Sequence, residues 1–176
     1  MLGQRLILRT AVLWLPMIFW LPGVGAQTCV VLSAPTVAPN GTASMELSLF
    51  SERGSEPAAI QWTFQYDASN VVTLTVEDGP LLASAGKTTM CAGGAAAYTC
   101  MIAGANRKTI ANGTIAKVTV TLGPAAPRPN ILVKSPMGAS SMGYLIQAAS
   151  KVRVDAGAEG SFSCGPRLPK GGPVVR

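Results

Sequence analysis

The stretch that decides the fold is AAIQWTFQYDASNVVTLTV, residues 58–76. Its apolar residues fall on every second position, at Ile60, Trp62, Phe64 and Tyr66, and polar residues stand between them. An alternation of period two predicts a β-strand with one buried face and one outward face. After Tyr66 the pattern breaks over the polar letters DASN and resumes as a β-branched run. This break predicts a turn between two strands.

The rest of the chain repeats short runs of this kind. Further strand-like runs, separated by Gly, Pro, Asn and Asp, are CVVLSAPTVA, ASMELSLFSE, AAAYTCMIAGA, GTIAKVTVTLG, NILVKS and IQAASKVRVDAG. The run LLASAGKTTM leaves a short strand and a helical turn both open. Eight or nine short strands in a single unit predict an all-β fold, a two-sheet antiparallel β-sandwich with Greek-key or jelly-roll connections.

The first 26 residues have the order of a secretory signal. Arg5 and Arg9 precede the apolar run AVLWLPMIFWLPGV, which the small residues VGA follow. This order predicts a signal peptide at 1–26, cleaved before Gln27. Because the run is short for a bilayer span and contains two prolines, we favour cleavage over an uncleaved anchor. We expect a secreted, extracellular or periplasmic protein without a membrane span after cleavage.

Cysteine usage agrees with export. The chain has four cysteines and no histidine, which favours disulfides over a metal site. Three pairings are possible, and four buried thiols are the alternative. We favour Cys91 with Cys100, which closes a short segment, and Cys29 with Cys164, which ties the two ends of the domain together.

Charge and motifs argue against several functions. Removal of two arginines with the signal leaves 12 basic against 8 acidic residues, a net charge of +4. No long basic cluster accompanies this charge, so we expect no nucleic-acid partner. The sequence has no histidine, nucleophile elbow or phosphate loop, and Glu77 and Asp78 would face opposite sides of a strand. We therefore expect neither an enzyme nor a cofactor.

Four segments together resemble the motifs of cohesin domains. IQWTFQYDASNVVTLTVEDG resembles the cohesin signature, and TIANGTIAKVTVTL resembles a second block of the family. PTVAPNGTASMELSL is similar to the first strand, turn and second strand, and PNILVKSPMGASSMG to the penultimate strand and the loop after it. The resemblance divides the chain into a signal peptide at 1–26, a cohesin-like domain at 27–157 and an extension at 158–176 that contains Cys164. It implies a nine-stranded jelly-roll sandwich that binds a partner without catalysis, typically a dockerin, a calcium-loaded helical module of another secreted protein.

The resemblance also implies candidate binding residues. In cohesins the signature strand lies on the face that meets dockerin, so Gln61, Thr63 and Gln65 are the partner-binding candidates. A polar or acidic side chain often takes part near the position of Gln61. Here the row is neutral, which departs from standard dockerin recognition, and a merely solvated face would explain the same residues.

Two motif pairs have a structural interpretation. Tyr66 can complete the buried row while its hydroxyl reaches the solvent-exposed edge of the sandwich. The Asp67 carboxylate can accept hydrogen bonds from backbone amides two residues further along the chain, which closes the turn. Asn112 and Gly113 match the turn preference of Asn-Gly.

Two other binding classes remain open. A carbohydrate-binding module of the same fold would need exposed aromatic rings, for which Tyr98 and Tyr144 are the candidates. A structural or adhesin subunit of the cell envelope is the third class.

Overall fold

The structure is a computed structural model that describes residues 28–124 and 128–152. The predicted signal peptide at 1–26, the extension at 158–176 and Cys164 lie outside the described residues. Within the described ranges the elements, in chain order, are β1 (Thr28–Leu32), β2 (Thr36–Val37), β3 (Thr42–Ser51), β4 (Ala59–Tyr66), β5 (Val71–Asp78), α1 (Pro80–Ala85), β6 (Thr88–Gly93), β7 (Ala97–Ala103), β8 (Gly113–Leu122), β9 (Ile131–Ala139) and β10 (Leu145–Val152).

The strands form two sheets that β10 joins. Sheet I has the order β5-β8-β3-β1-β10, with the short β2 beside β3, and sheet II has the order β10-β9-β4-β7-β6. The first residues of β10 pair with β9, and residues 148–152 pair with β1. The predicted two-sheet sandwich is confirmed. One feature differs from a purely antiparallel pattern: β1 and β10 run parallel, because β10 continues in one direction from its antiparallel pairing with β9 to the side of β1.

One apolar core lies between the sheets. Leu47 and Val118 of sheet I and Trp62 and Phe64 of sheet II are fully buried in the same cluster. The rings of Trp62 and Phe64 meet edge to face, with centroids 6.0 Å apart. Burying an aliphatic or aromatic side chain of this size contributes roughly 1.5–3 kcal/mol. The alternation predicted for the deciding stretch is therefore confirmed, since its apolar positions fill the core.

The run that the sequence left open contains both a helix and a strand. A proline begins α1, and Gly86 ends it at φ 63° in the left-handed region, where glycine is favoured. The Asn106 amide donates hydrogen bonds to the carbonyls of Ala85 and Gly86, at 3.1 and 3.0 Å. The buried Lys87 donates to the carbonyl of Asn106 at 2.8 Å. These bonds tie the helix end to the loop between β7 and β8.

A disulfide joins the two strands at the edge of sheet II. Cys91 of β6 and Cys100 of β7 lie directly opposite each other, with an S–S distance of 2.10 Å. The predicted pairing of these two cysteines is therefore present. Cys29 is buried on β1, and its pairing with Cys164 stays a prediction.

No helix within 28–124 or 128–152 has the length and apolarity to cross a membrane.

Candidate functional site

The candidate partner-binding residues lie at the centre of sheet II. Gln61, Thr63 and Gln65 point outward from β4, which lies between β9 and β7. Thr63 pairs with Thr99 of β7, and their hydroxyl oxygens are 2.9 Å apart in a hydrogen bond. The structure thus brings the three candidates together on one outer face, in the middle of the sheet rather than at its edge.

Three exposed methionines continue the row through Gln61. Gln61 lies opposite Met101 of β7 on one side and Met137 of β9 on the other. Met101 in turn lies opposite Met90 of β6, and Met137 lies opposite Gln147 of β10. The side chains of Met90, Met101 and Met137 are 53%, 39% and 46% exposed. With strands spaced about 4.8 Å apart, this five-strand row spans on the order of 19 Å.

A β-bulge in β9 gives the row its Met137. Gln61 pairs with Met137 but Thr63 pairs with Lys134, so β9 has one more residue than β4 at this point. The extra residue lies at 135–136, where Ser135 has a φ of 47°. A bulge re-aims the side chains that follow it. Met137 consequently faces outward, as Lys134 does three positions earlier, and both are exposed.

Further apolar side chains surround this row. Leu132 pairs with Gln65 at the far end of the face, and small alanines occupy the row on the other side of the methionines. Beyond these alanines, the loop between β9 and β10 exposes Met142, Tyr144 and Leu145. The large apolar side chains exposed on this side of the molecule are Met90, Met101, Leu132, Met137, Met142, Tyr144 and Leu145.

An open depression of about 340 Å³ adjoins the alanine row. Its lining includes Ala59, the first residue of β4, and Gly104, which follows β7. The polar residues of the lining are Asn106, Arg107, Ser140 and Ser141, and Met142 is its large apolar residue. The outer face of sheet II therefore continues into this depression without an intervening strand.

The outer face of sheet I has a different chemistry. Its central strands pair Lys117 of β8 with Glu46 of β3 and with Glu77 of β5. Threonine and serine occupy the neighbouring outward positions, including a pair between Thr73 and Thr121, whose hydroxyls are 2.8 Å apart. A charged, hydroxyl-rich surface of this kind is well solvated, whereas exposed apolar patches mark interaction sites.

The signature pair at the end of β4 has the predicted structural role. The Tyr66 hydroxyl donates to the carbonyl of Gly94 at 3.2 Å. Asp67 accepts hydrogen bonds from the Ser69 amide at 2.9 Å and the Ser69 hydroxyl at 2.8 Å, which closes the turn. These two bonds, the amide bond first, hold the pKa of the exposed Asp67 carboxyl below its usual value. This pair therefore shapes the turn at the edge of the face.

The second motif pair also holds strands in place. The Asn112 side chain accepts from the Ser51 amide at 2.8 Å and donates to the Ser51 carbonyl at 2.9 Å. These two bonds hold β3 at Ser51, two residues beyond Leu49, its last residue paired with β8. Gly113 begins β8 with a φ of 132°, and a side chain there would approach Leu81 to 2.9 Å. The backbone conformation favours glycine at this position, and a larger residue would also displace the end of the Leu81 side chain.

The two tyrosines proposed for sugar binding do not share a surface. Tyr98 lies opposite the buried Phe64 and packs against the core. Tyr144 is 67% exposed in the loop that leads into β10, beyond the other end of β4. A stacking platform needs exposed rings on one face. These two residues do not form such a platform, because the alternation of β7 turns Tyr98 inward.

Sequence reasoning missed the methionines, Lys134 and the depression. One signal was present: if Cys91 pairs with Cys100 across an antiparallel hairpin, Met90 must lie opposite Met101. Because Cys100 is buried, its neighbour Met101 must then face outward. The position of Met137 carried no such signal, since it depends on the bulge.

No cluster of three or more His, Cys, Asp or Glu side chains able to hold a metal ion occurs in the described part of the chain.

No protein-family model and no curated protein matches the chain. Solved structures do match it in fold. The third cohesin ScaC of Acetivibrio cellulolyticus, in complex with the ScaB dockerin, has a TM-score of 0.59 at 14% identity and covers 73% of this chain and 99% of its own. A type I cohesin–dockerin complex of Clostridium thermocellum, Coh-OlpC-Doc435, has a TM-score of 0.58 at 15% identity, with coverages of 71% and 91%.

A third similar structure comes from outside the cellulosome. The non-cellulosomal cohesin of the archaeon Archaeoglobus fulgidus has a TM-score of 0.56 at 11% identity and covers 72% of this chain and 87% of its own. At these identities the likeness concerns the fold alone. Residues 28–124 and 128–152 therefore have the fold of a cohesin module.

Proposed function

We propose that this protein is a secreted, non-catalytic binding module that docks a partner protein on the outer face of sheet II. The observation that carries the proposal is the row in which Met90, Met101 and Met137 flank Gln61 across the sheet, all three methionines being substantially exposed. Covering an apolar row on a sheet with a partner surface lowers the free energy, because it removes apolar area from water.

Methionine suits a docking surface for a physical reason. Its unbranched, polarisable side chain adjusts to the shape of an incoming surface. Interface cores are enriched in methionine and poor in charged residues. Thr63 and Gln65 would add hydrogen bonds at the border of this apolar row, which gives the partner a fixed orientation.

The comparisons support a dockerin-like partner. Two of the similar cohesins were crystallised with dockerins, and the present chain has their fold. We propose that its partner is likewise a module of another secreted or envelope protein. The Cys91–Cys100 disulfide supports an oxidising compartment. The proposal needs no catalytic group, metal or polysaccharide.

The test is an affinity capture with a pair of matched variants. Full-length protein recovered from a secretory host would be immobilised and exposed to envelope and secreted proteins of its source, with and without a calcium chelator. Thr63→Arg places a large cation on the outer face of sheet II, and Thr119→Arg places the same group on the outer face of sheet I.

We expect the wild type and Thr119→Arg to retain the same protein and Thr63→Arg to lose it. Chelator-sensitive capture of a protein with paired calcium loops would identify the partner as dockerin-like. Equal capture by both variants, or selective loss in Thr119→Arg, would contradict docking on sheet II.

A further inference from the structure

We propose that the partner presents an apolar strip flanked by carboxylates, one against Lys134 and one in the depression lined by Arg107. This inference rests on the proposed function and names the chemistry of the partner. It follows from the order in which apolar and cationic groups occur across the outer face of sheet II.

The middle of the face is apolar. The methionine row crosses all five strands of sheet II, interrupted by glutamines at Gln61 and Gln147. The next row, toward the loops, pairs Ala59 with Ala139, which in turn lies opposite Leu145. These two rows form an uncharged band. Because the rows are two residues apart along each strand, the spacing between them is roughly 7 Å.

A cation borders one side of the band. Lys134 pairs with Thr63, one row from the methionines, and is exposed. Its outward direction follows from the regular alternation of β9 before the bulge, in which Leu132 and Lys134 are exposed and Val133 is buried. The structure describes every outward residue of β4, β6, β7 and β9, and the charged residue among them is Lys134. The others are methionine, leucine, alanine, threonine and glutamine.

A second cation borders the other side. Arg107 lines the depression that begins at Ala59, directly beyond the alanine row. Ser140 in this lining already accepts hydrogen bonds from the amides of Met142 and Tyr144, which fixes the loop. The guanidinium and the Ser141 hydroxyl remain as donors suited to a carboxylate.

The carboxylates of the domain lie elsewhere. Those in the described residues are on the outer face of sheet I, in loops and turns or at the end of β5, namely Glu46, Glu77, Glu52, Glu56, Asp67 and Asp78. None is among the residues that line the depression. The face consequently has an apolar band with cations on both borders, and the complementary surface is an apolar strip with acidic borders. Such complementarity selects between partners and their orientations.

The test uses two synthetic helical peptides with the same leucine strip. One carries glutamates on both borders of the strip and the other carries lysines at the same positions, and circular dichroism confirms that both are helical. Full-length protein from a secretory host, labelled on its methionine methyl groups, would be titrated with each peptide and observed by NMR at low salt. One protein variant, the double variant, combines Lys134→Glu with Arg107→Glu. The control variant is Lys117→Glu, which makes the same kind of charge reversal on the outer face of sheet I.

We expect the glutamate peptide to shift the signals of Met90, Met101 and Met137 and to bind at least tenfold more tightly than the lysine peptide. The double variant should reverse this preference, and Lys117→Glu should leave it unchanged. Equal affinities, preference for the lysine peptide, or no shift of the three signals with either peptide would overturn the inference.

The two proposals fail in different ways. If Thr63→Arg and Thr119→Arg capture the same protein equally, docking on sheet II is wrong. If Thr63→Arg alone loses capture but the peptides show no acidic preference, only the inferred partner chemistry is wrong.

Discussion

Lys134 and Met137 point to the same side of β9, although three positions separate them. In a regular strand an odd separation places two side chains on opposite faces. The bulge at 135–136, opposite the buried Trp62, removes that alternation. A backbone irregularity in one strand thus brings the apolar Met137 to the face on which Lys134 already lies.

The first prediction concerns the bulge. Ser135 has a φ of 47°. Glycine adopts this left-handed backbone conformation without strain, whereas a β-branched residue there is more strained than serine. We expect Ser135→Val to lower the free energy of unfolding by about 1–2 kcal/mol and Ser135→Gly to leave it equal or slightly higher. Urea unfolding measures both. Equal stability of the two variants would show that the bulge does not require this conformation.

The second prediction concerns Trp62, which is fully buried and whose Nε1 has no hydrogen-bond partner among the described residues. Trp62→Ala should cost about 3–5 kcal/mol of stability, because it leaves a large cavity. Trp62→Phe should cost clearly less, since it removes volume but no hydrogen bond. If phenylalanine were as costly as alanine in a denaturant titration, the indole N–H would have to bond a group that the structure does not show.

The third prediction concerns pH and Asp67. The Ser69 amide and hydroxyl lower the pKa of this carboxyl in the folded state. A carboxyl with a lowered pKa contributes stability above its unfolded pKa and loses that contribution as the pH falls through the folded value, below about pH 4. Ser69→Ala removes the hydroxyl bond and keeps the amide bond, so the pKa should rise part of the way. NMR titration of Asp67 measures it, and an unchanged midpoint would contradict the role of the hydroxyl.

The fourth prediction concerns oxidation of the face. Hydrogen peroxide transfers one oxygen atom to a thioether, giving a sulfoxide and water. Sulfoxides at Met90, Met101 and Met137 would make the apolar row polar, and a docked partner would have to desolvate them. We expect peroxide treatment to weaken partner binding about tenfold or more, as measured by calorimetry with the captured partner.

A triple variant supplies the control for this experiment. Leucine is similar to methionine in volume, so replacement of all three methionines by leucine should preserve binding and resist peroxide. Met142 remains oxidisable in this variant. If the triple variant loses affinity with peroxide as the wild type does, the effect does not arise from the row.

The sequence allowed much of the fold to be predicted, because β4 carries a strict alternation and its neighbours are bounded by turn residues. The turn at Asp67 and the pairing of Cys91 with Cys100 also followed from local chemistry. The path of β10 between the sheets could not be predicted, since alternation reveals which residues are buried but not which strand lies alongside.

The candidate face was only partly predictable. Gln61, Thr63 and Gln65 were placed on it by alternation, but the end of β9 was expected at Ser135 and the next residues in a loop. Proline is rare within a central strand, so the continuation through Pro136 is unusual. In the structure the strand passes through the bulge and continues to Ala139, which brings Met137 onto the face.

The measurement that tests the account most directly is methyl NMR of the methionine-labelled protein with the captured partner. Met90, Met101 and Met137 report on the outer face of sheet II, and Met45, which is buried in the core, reports on the fold. We predict that the partner shifts the three face signals and leaves Met45 nearly unchanged. A bound partner that leaves all three face signals in place would contradict docking on sheet II.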